Sequence, residues 1–142
     1  MLTAIEYLEL ATTQPIEIID VTALIRERIK PLGIDNGLLT VMSAHTTACV
    51  NINECEPHLQ RDMLTFLKRF VPRDGDYAHN VVATDGRDNA HSHLMALLMT
   101  ASVSIPIVNG ELLIGGWQSV FFIELDGPRP QRRLTLHLMG AA

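Results

Sequence analysis

The sequence predicts an α+β domain across residues 1–142, with mostly antiparallel β-sheets packed in a sandwich-like core and about three helices. Three observations carry that expectation. Strand-like alternation recurs along the chain, and apolar stripes at helical spacing interrupt it near 21–32, 59–70 and 91–101. Asn109-Gly110 reads as a tight hairpin turn, because both residues tolerate positive φ. Helices are interspersed with hairpins instead of alternating regularly with single strands, which favours antiparallel sheet.

Ile5, Tyr7, Leu8 and Leu10 mark a first strand over 3–11, and a second follows at 16–19 after a turn. Asp20 or Thr22 then caps a helix, since either side chain accepts from the free amides of a first turn. Val21, Ile25, Ile29 and Leu32, with Leu24 beside them, form its apolar face until Pro31-Leu32-Gly33 stops it. Residues 37–54 return to strand, and Leu38, Leu39, Val41 and Met42 are apolar on both faces, as in a central strand. Pro57 suits the first turn of a second helix, where its missing N–H is no loss. Leu59, Met63, Phe66, Leu67 and Phe70 make one stripe on it, and Pro72 ends it. Residues 77–87 read as mostly irregular. A third helix over 91–101 turns Leu94, Leu97, Leu98 and Ala101 inward. Strand 103–108, the Asn109-Gly110 turn and a return strand into Gly115-Gly116 come next, where a bulge is expected. The strand resumes over 117–125, and 133–139 closes the fold with Leu134, Leu136 and Leu138 inward.

A domain of 142 residues buries roughly 68–70% of its unfolded surface, enough for one core. With 47% hydrophobic and 19% charged residues the chain is not of disordered composition. Net charge −5 argues against non-specific nucleic-acid binding, which needs a basic footprint. It leaves room for anionic small substrates if Arg87, Arg129, Arg132 and Arg133 gather locally; otherwise they are solvated loop charges. No apolar run approaches the ~18 residues of a membrane span. Cys49 and Cys55 lie too close in sequence to staple much chain and read as reduced thiols. The expectation is a soluble, cytoplasmic protein with no membrane contact.

Chemistry concentrates at 43–54. Ala48, Val50 and Ile52 alternate there with His45, Thr47, Cys49, Asn51 and Asn53. In a strand these sets face opposite ways, and a solvent face of His, Cys and Asn is that of a site. Of the six histidines, His137 and His58 sit on polar faces and read as surface. His45, His79, His91 and His93 border element ends beside Asn, Asp or Gly. On a helix, residues two apart diverge by ~200°, so only one of His91 and His93 joins a site. His93 in a first turn would aim over amide donors that welcome anions. Three imidazoles with an open position suit a zinc-type centre, but the spacing is no motif, and from it alone independently hydrogen-bonded histidines are the default.

These segments occur in order with Arg61-Asp62-Met63, Tyr77-Ala78-His79-Asn80, Asn89-Ala90-His91-Ser92-His93, Gly116-Trp117-Gln118 and Glu124-Leu125-Asp126-Gly127-Pro128-Arg129. Together they resemble the secondary thiamine-phosphate synthase family (YjbQ-type) over nearly the whole chain. Met95 and Thr100 depart from the pattern, where polar and glycine residues are common. The resemblance implies an α+β homotrimer with its site near subunit contacts. It places the site histidines, a metal set, on His45, His79 and His93. Catalytic roles fall to His45, Glu54 and Glu124, and substrate binding to Asn53, Trp117, Gln118 and Arg129.

The implied reaction is a transferase step joining hydroxymethylpyrimidine pyrophosphate to thiazole phosphate with release of pyrophosphate. It demands neutralisation of the leaving group and exclusion of water. Trp117 offers a ring face for a substrate or packs with Leu113, Phe121 and Ile123. A divalent metal divides by ligand: zinc suits imidazoles, and magnesium suits pyrophosphate oxygens. The alternative is a trimeric metal or small-ligand binding protein, or a metal-dependent hydrolase of a phosphorylated metabolite.

Overall fold

The computed structural model describes residues 1–82 and 85–142, so part of the expected irregular stretch 77–87 lies outside the described residues. The strands are β1 (Leu2–Leu10), β2 (Glu17–Asp20), β3 (Asn36–Ser43), β4 (Ala48–Glu54), β5 (Ser102–Val108), β6 (Glu111–Leu112), β7 (Gln118–Glu124) and β8 (Arg132–Ala141). They form a five-stranded sheet ordered β1–β8–β3–β5–β6 and a three-stranded sheet ordered β2–β7–β4. Every one of these pairings is antiparallel. The helices are α1 (Thr22–Ile29), α2 (Pro57–Phe70), α3 (Ala78–Val81) and α4 (Ala90–Ala96). A single-domain α+β fold results, as the sequence implies.

The main core lies between the sheets. Leu134, Leu136 and Leu138 of β8 meet Leu39 and Val41 of β3, Val50 of β4, Phe122 of β7, and Ile25 and Ile29 of α1. Each such side chain contributes ~1.5–3 kcal/mol by leaving water. The alternation of β4 and β7 buries a second set on the other face of the smaller sheet. There Cys49, Phe121 and Ile123 pack with Leu125, Val71 and Met95, with Leu67 of α2 and Ala96 of α4 against them. The expected solvent face of β4 is therefore largely covered by helices.

Local chemistry sets the boundaries. Asp20 Oδ1 accepts from the Thr22 amide at 3.0 Å, while the Thr22 hydroxyl accepts the Val120 amide and ties α1 to β7. Pro57 opens α2 as expected, and the Glu56 carboxylate accepts from the His58 and Leu59 amides. Asn109 and Gly110 have φ of 51° and 75°, the hairpin geometry expected of them.

Other expectations are corrected. The 37–54 strand breaks at 44–47 and changes sheets; the Ser43 hydroxyl donates to the Ala48 carbonyl at 2.7 Å across that corner. The return strand after Gly110 stops at Leu112, and part of the stretch read as irregular is α3. The third helix ends at Ala96, because the Leu98 and Met99 amides turn to carbonyls three residues back. Its inward residues are Ala90, His91, Ser92 and Met95, whereas Leu97 is 79% exposed. The Ser92 hydroxyl sets that face by donating to the Leu125 carbonyl at 2.6 Å. Thr100, one of the two departures, donates its hydroxyl to the Val50 carbonyl and bridges α4's exit to β4.

Candidate functional site

One end of the smaller sheet gathers the polar chemistry. There the 44–47 corner, the loop before β8, the start of β8 and α4 with its approach surround a cavity of about 280 Å³. His45, Thr47, Asn89, His93, Arg129 and Arg132 line it, with Asp85 at the edge. Its cations are held from behind. Arg132 opens β8 on the face that continues inward as Leu134, Leu136 and Leu138. Its Nε donates to Glu124 Oε2 at 2.8 Å and its Nη2 to Glu124 Oε1 and to the Thr47 hydroxyl at 2.9 Å. Glu124 also accepts from the Thr12 hydroxyl at 2.9 Å and the Asp126 amide at 3.0 Å. Burial would raise the Glu124 carboxyl, but Arg132, the Asp126 amide and Thr12 hold it below its ordinary value. With both oxygens occupied, Glu124 fixes Arg132; it does not line the cavity as a proton carrier.

Asp126 does the same for Arg87 and Arg129, whereas Arg133 pairs with Glu9. Asp126 accepts from Arg87 Nη2 at 2.9 Å, Arg129 Nη2 at 2.7 Å and Asn89 Nδ2 at 2.8 Å. Burial opposes the charge, yet Arg87, Asn89 and Arg129 bring this carboxyl down to about 2.

The histidines differ in what they present. His45 lies on the corner, before β4 begins, and its Nε2 accepts the Arg133 amide at 3.1 Å. Burial, then the Arg132 charge, lowers its pKa and keeps the ring neutral near pH 7. Nε2 being the acceptor, Nδ1 carries the proton and is a donor. His79 Nε2 lies 3.1 Å from Asn89 Oδ1. Because Asn89 Nδ2 must donate to the Asp126 carboxylate, Oδ1 is the acceptor and His79 Nε2 the donor, which leaves Nδ1 bare in the neutral ring. The His79 and His93 rings meet edge-on with centroids 5.0 Å apart. These two also line an adjoining cavity of about 480 Å³ with Asp76, Tyr77, Ala90 and Leu94.

The donor set does not fit a three-histidine zinc centre. His45 has committed its bare nitrogen to a backbone amide, and arginines flank it. Among the described residues no three His, Cys, Asp or Glu side chains are grouped as metal ligands. The expected anion seat on α4's first amides is also taken: the Ala90 amide donates to Asn80 Oδ1, and the Ser92 and His93 amides to the Asn89 carbonyl.

The remaining expected residues lie elsewhere. Ala48 pairs with Glu124 at the cavity end of the sheet, and Glu54 pairs with Gln118 at the other. Six residues of strand separate them, ~20 Å at ~3.3 Å per residue. Asn53, Glu54, Trp117 and Gln118 therefore do not meet His45 within one subunit. Trp117 is 80% exposed and does not pack with Phe121 or Ile123. Gln118 Oε1 accepts the Gly115 amide and Asn53 Oδ1 the Glu54 amide. His91 is buried away from the cavity with Nδ1 unpaired, and exposed His58 contacts Arg61. The sequence marks Thr12 only as a turn residue and Asn89 and Asp126 only as parts of longer segments, because their partners lie far off in the chain and no local spacing announces them.

Residues 6–141 match the family described as UPF0047 protein YjbQ-like. A UPF0047 protein of Methanothermobacter thermautotrophicus is 41% identical, covering 94% of this chain and 90% of that protein. UPF0047 protein YugU of Bacillus subtilis is 31% identical, covering 94% and 97%. The crystal structure of a YbjQ-like protein of unknown function from Sulfolobus solfataricus P2 superimposes with a TM-score of 0.91 at 34% identity, covering 98% of both chains. A hypothetical protein from Aeropyrum pernix K1 gives 0.91 at 36% identity, covering 97% and 99%. The sequence, the sheet order and these likenesses agree: the chain belongs to the YjbQ-like UPF0047 family.

Proposed function

We propose that the cavity beside His45 binds phosphate oxygens of a small phosphorylated metabolite, and that the protein is a thiamine-phosphate synthase-like transferase. The carrying observation is the convergence of Arg129, Arg132, His45 and His93 on one small cavity, with both guanidiniums anchored by buried carboxylates. Anchored cations receive a leaving pyrophosphate without reorganising, which is the largest demand of the reaction. In that step the pyrimidine-methyl C–O bond breaks and its electron pair leaves with pyrophosphate. The thiazole nitrogen donates its lone pair to the carbon, forming the new C–N bond. His45 Nδ1–H and Arg129 hold phosphate oxygens in this reading.

At about 280 Å³ the cavity is too small for two rings, since ligand sites run ~300–1,000 Å³. The adjoining cavity, reached past His93, supplies further room. A homotrimer supplies the rest: in a head-to-tail ring the Trp117 end of one subunit can meet the His45 end of the next. The outer face of the larger sheet supports assembly, because Ile5, Tyr7, Leu38, Met42 and Met139 are exposed on it. No described helix is long and apolar enough to cross a membrane.

The test is calorimetric titration with inorganic pyrophosphate, then assay of thiamine phosphate formation with and without chelator. Pyrophosphate binding, and turnover that needs no added zinc, are expected. Absence of pyrophosphate binding by the intact protein refutes the reading, and strict dependence on added zinc favours the metal-dependent alternative.

A further inference from the structure

We propose that Asp126 is the positioning residue of the anion cavity, fixing the Arg129 guanidinium at the wall and, through Asn89, the His79 ring beside His93. The proposal rests on the phosphate-binding reading above and names what organises that site.

Asp126 sits between β7 and β8 with 8% of its surface exposed. Three side chains from two separate segments end on its carboxylate: Arg87 and Asn89 from the approach to α4, and Arg129 from the loop before β8. Its main-chain carbonyl also accepts from Arg87 Nη2 at 3.1 Å and Arg129 Nε at 3.0 Å. One residue thereby sets the relative placement of two segments that both border the cavity. The carboxylate can only accept, so it dictates the orientation of the Asn89 amide, and that amide dictates which His79 nitrogen carries the proton. His79 in turn contacts His93 edge-on. No other described contact links the Arg129 wall to the His79–His93 pair through side chains alone.

The sign of the charge makes this testable. A carboxylate beside an anion site repels the ligand, so by charge alone Asp126 weakens binding. By position it strengthens binding, since an arginine released from its carboxylate must be ordered by the ligand. Asp126→Asn keeps the shape and removes the charge.

Calorimetry with inorganic phosphate on the full chain, with nitrogen-15 NMR of arginine and histidine side chains, decides it. In the wild-type protein the Arg87 and Arg129 guanidinium protons and the His79 ring N–H should be resolved in slow exchange. Asp126→Asn should lose these signals together and bind phosphate roughly 10-fold or more weakly, as loss of partners behind site ligands does. A variant that binds phosphate as well as or better than wild type, with the signals kept, overturns the proposal. If wild-type protein binds no phosphate, the anion reading falls and the NMR result alone decides whether Asp126 positions these groups. If Asp126→Asn does not fold, Asn89→Ala replaces it: the His79 N–H should be lost while the Arg129 signals stay, and an unchanged His79 signal overturns the proposal.

Discussion

At the scale of single residues, the free nitrogen of an imidazole decides what it does. His45 gives its bare nitrogen to the Arg133 amide and keeps a proton for a ligand oxygen. His45→Ala should therefore abolish pyrophosphate binding while costing only ~0.5–1.5 kcal/mol of stability, the worth of one hydrogen bond, checked by calorimetry and urea unfolding. Glu124→Gln behaves oppositely, because it strands a guanidinium whose side chain is 5% exposed. We expect a loss of ~3–5 kcal/mol in the same unfolding experiment. Arg132 was half legible in the sequence. Its even-numbered position continues the inward alternation of Leu134, Leu136 and Leu138, yet a charged residue there invites the reading of a loop. Its partner Glu124 is eight residues away across a turn, and no local spacing announces that pairing.

At the scale of elements, patterns that involve one partner surface were readable and those that depend on two were not. The Asn109-Gly110 turn and the Pro57 start follow from backbone geometry alone, and both stand. The 37–54 run is different: uninterrupted strand propensity conceals a corner at which the chain changes sheets. Over the helix expected at 91–101, Leu94, Leu97 and Leu98 outnumber Met95, but the Ser92 hydroxyl's bond to Leu125 turns the Met95 side inward. Met95→Ala should cost ~2–5 kcal/mol as a buried truncation, whereas Leu97→Gln should change stability by less than ~0.5 kcal/mol. Chemical denaturation of the two variants side by side checks this, and equal losses would restore the sequence-based face.

At the scale of the whole molecule, acid sensitivity and assembly are the readouts. The Asp126 carboxyl falls to about 2 in the folded chain from an ordinary 3.8, so its stabilisation is complete above pH ~4. It is lost as pH falls toward 2, amounting to roughly 2 kcal/mol. Glu124, also held low, acts in the same direction. His45 and His91 are held below 6.5 by burial first, so the folded chain resists protonating them and an earlier loss begins beneath that value. Unfolding midpoints measured from pH 7 to pH 2 should decline in these two stages, with the later stage reduced, and Glu124's share of it kept, in Asp126→Asn. Assembly is tested on the larger sheet: Leu38→Glu places a charge on its exposed outer face, and light scattering should show the proposed trimer reduced to monomers. A wild-type protein that is monomeric at micromolar concentration refutes the trimer.

The position of β8 has a consequence for how the chain acquires this shape. It is the last strand in sequence, yet it lies between β1 and β3, pairing with both along most of its length. A nascent chain that has emerged through β7 holds an orphaned β1 and a larger sheet with an open slot. Residues 2–10 must wait for partners more than a hundred positions later, and such distant closures slow folding. During that wait the unpaired edges of β1 and β3 are templates for foreign strands. Synthesis in the presence of a strand-capturing chaperone should therefore raise the soluble yield, and the gain should vanish in a circular permutant that begins with β8.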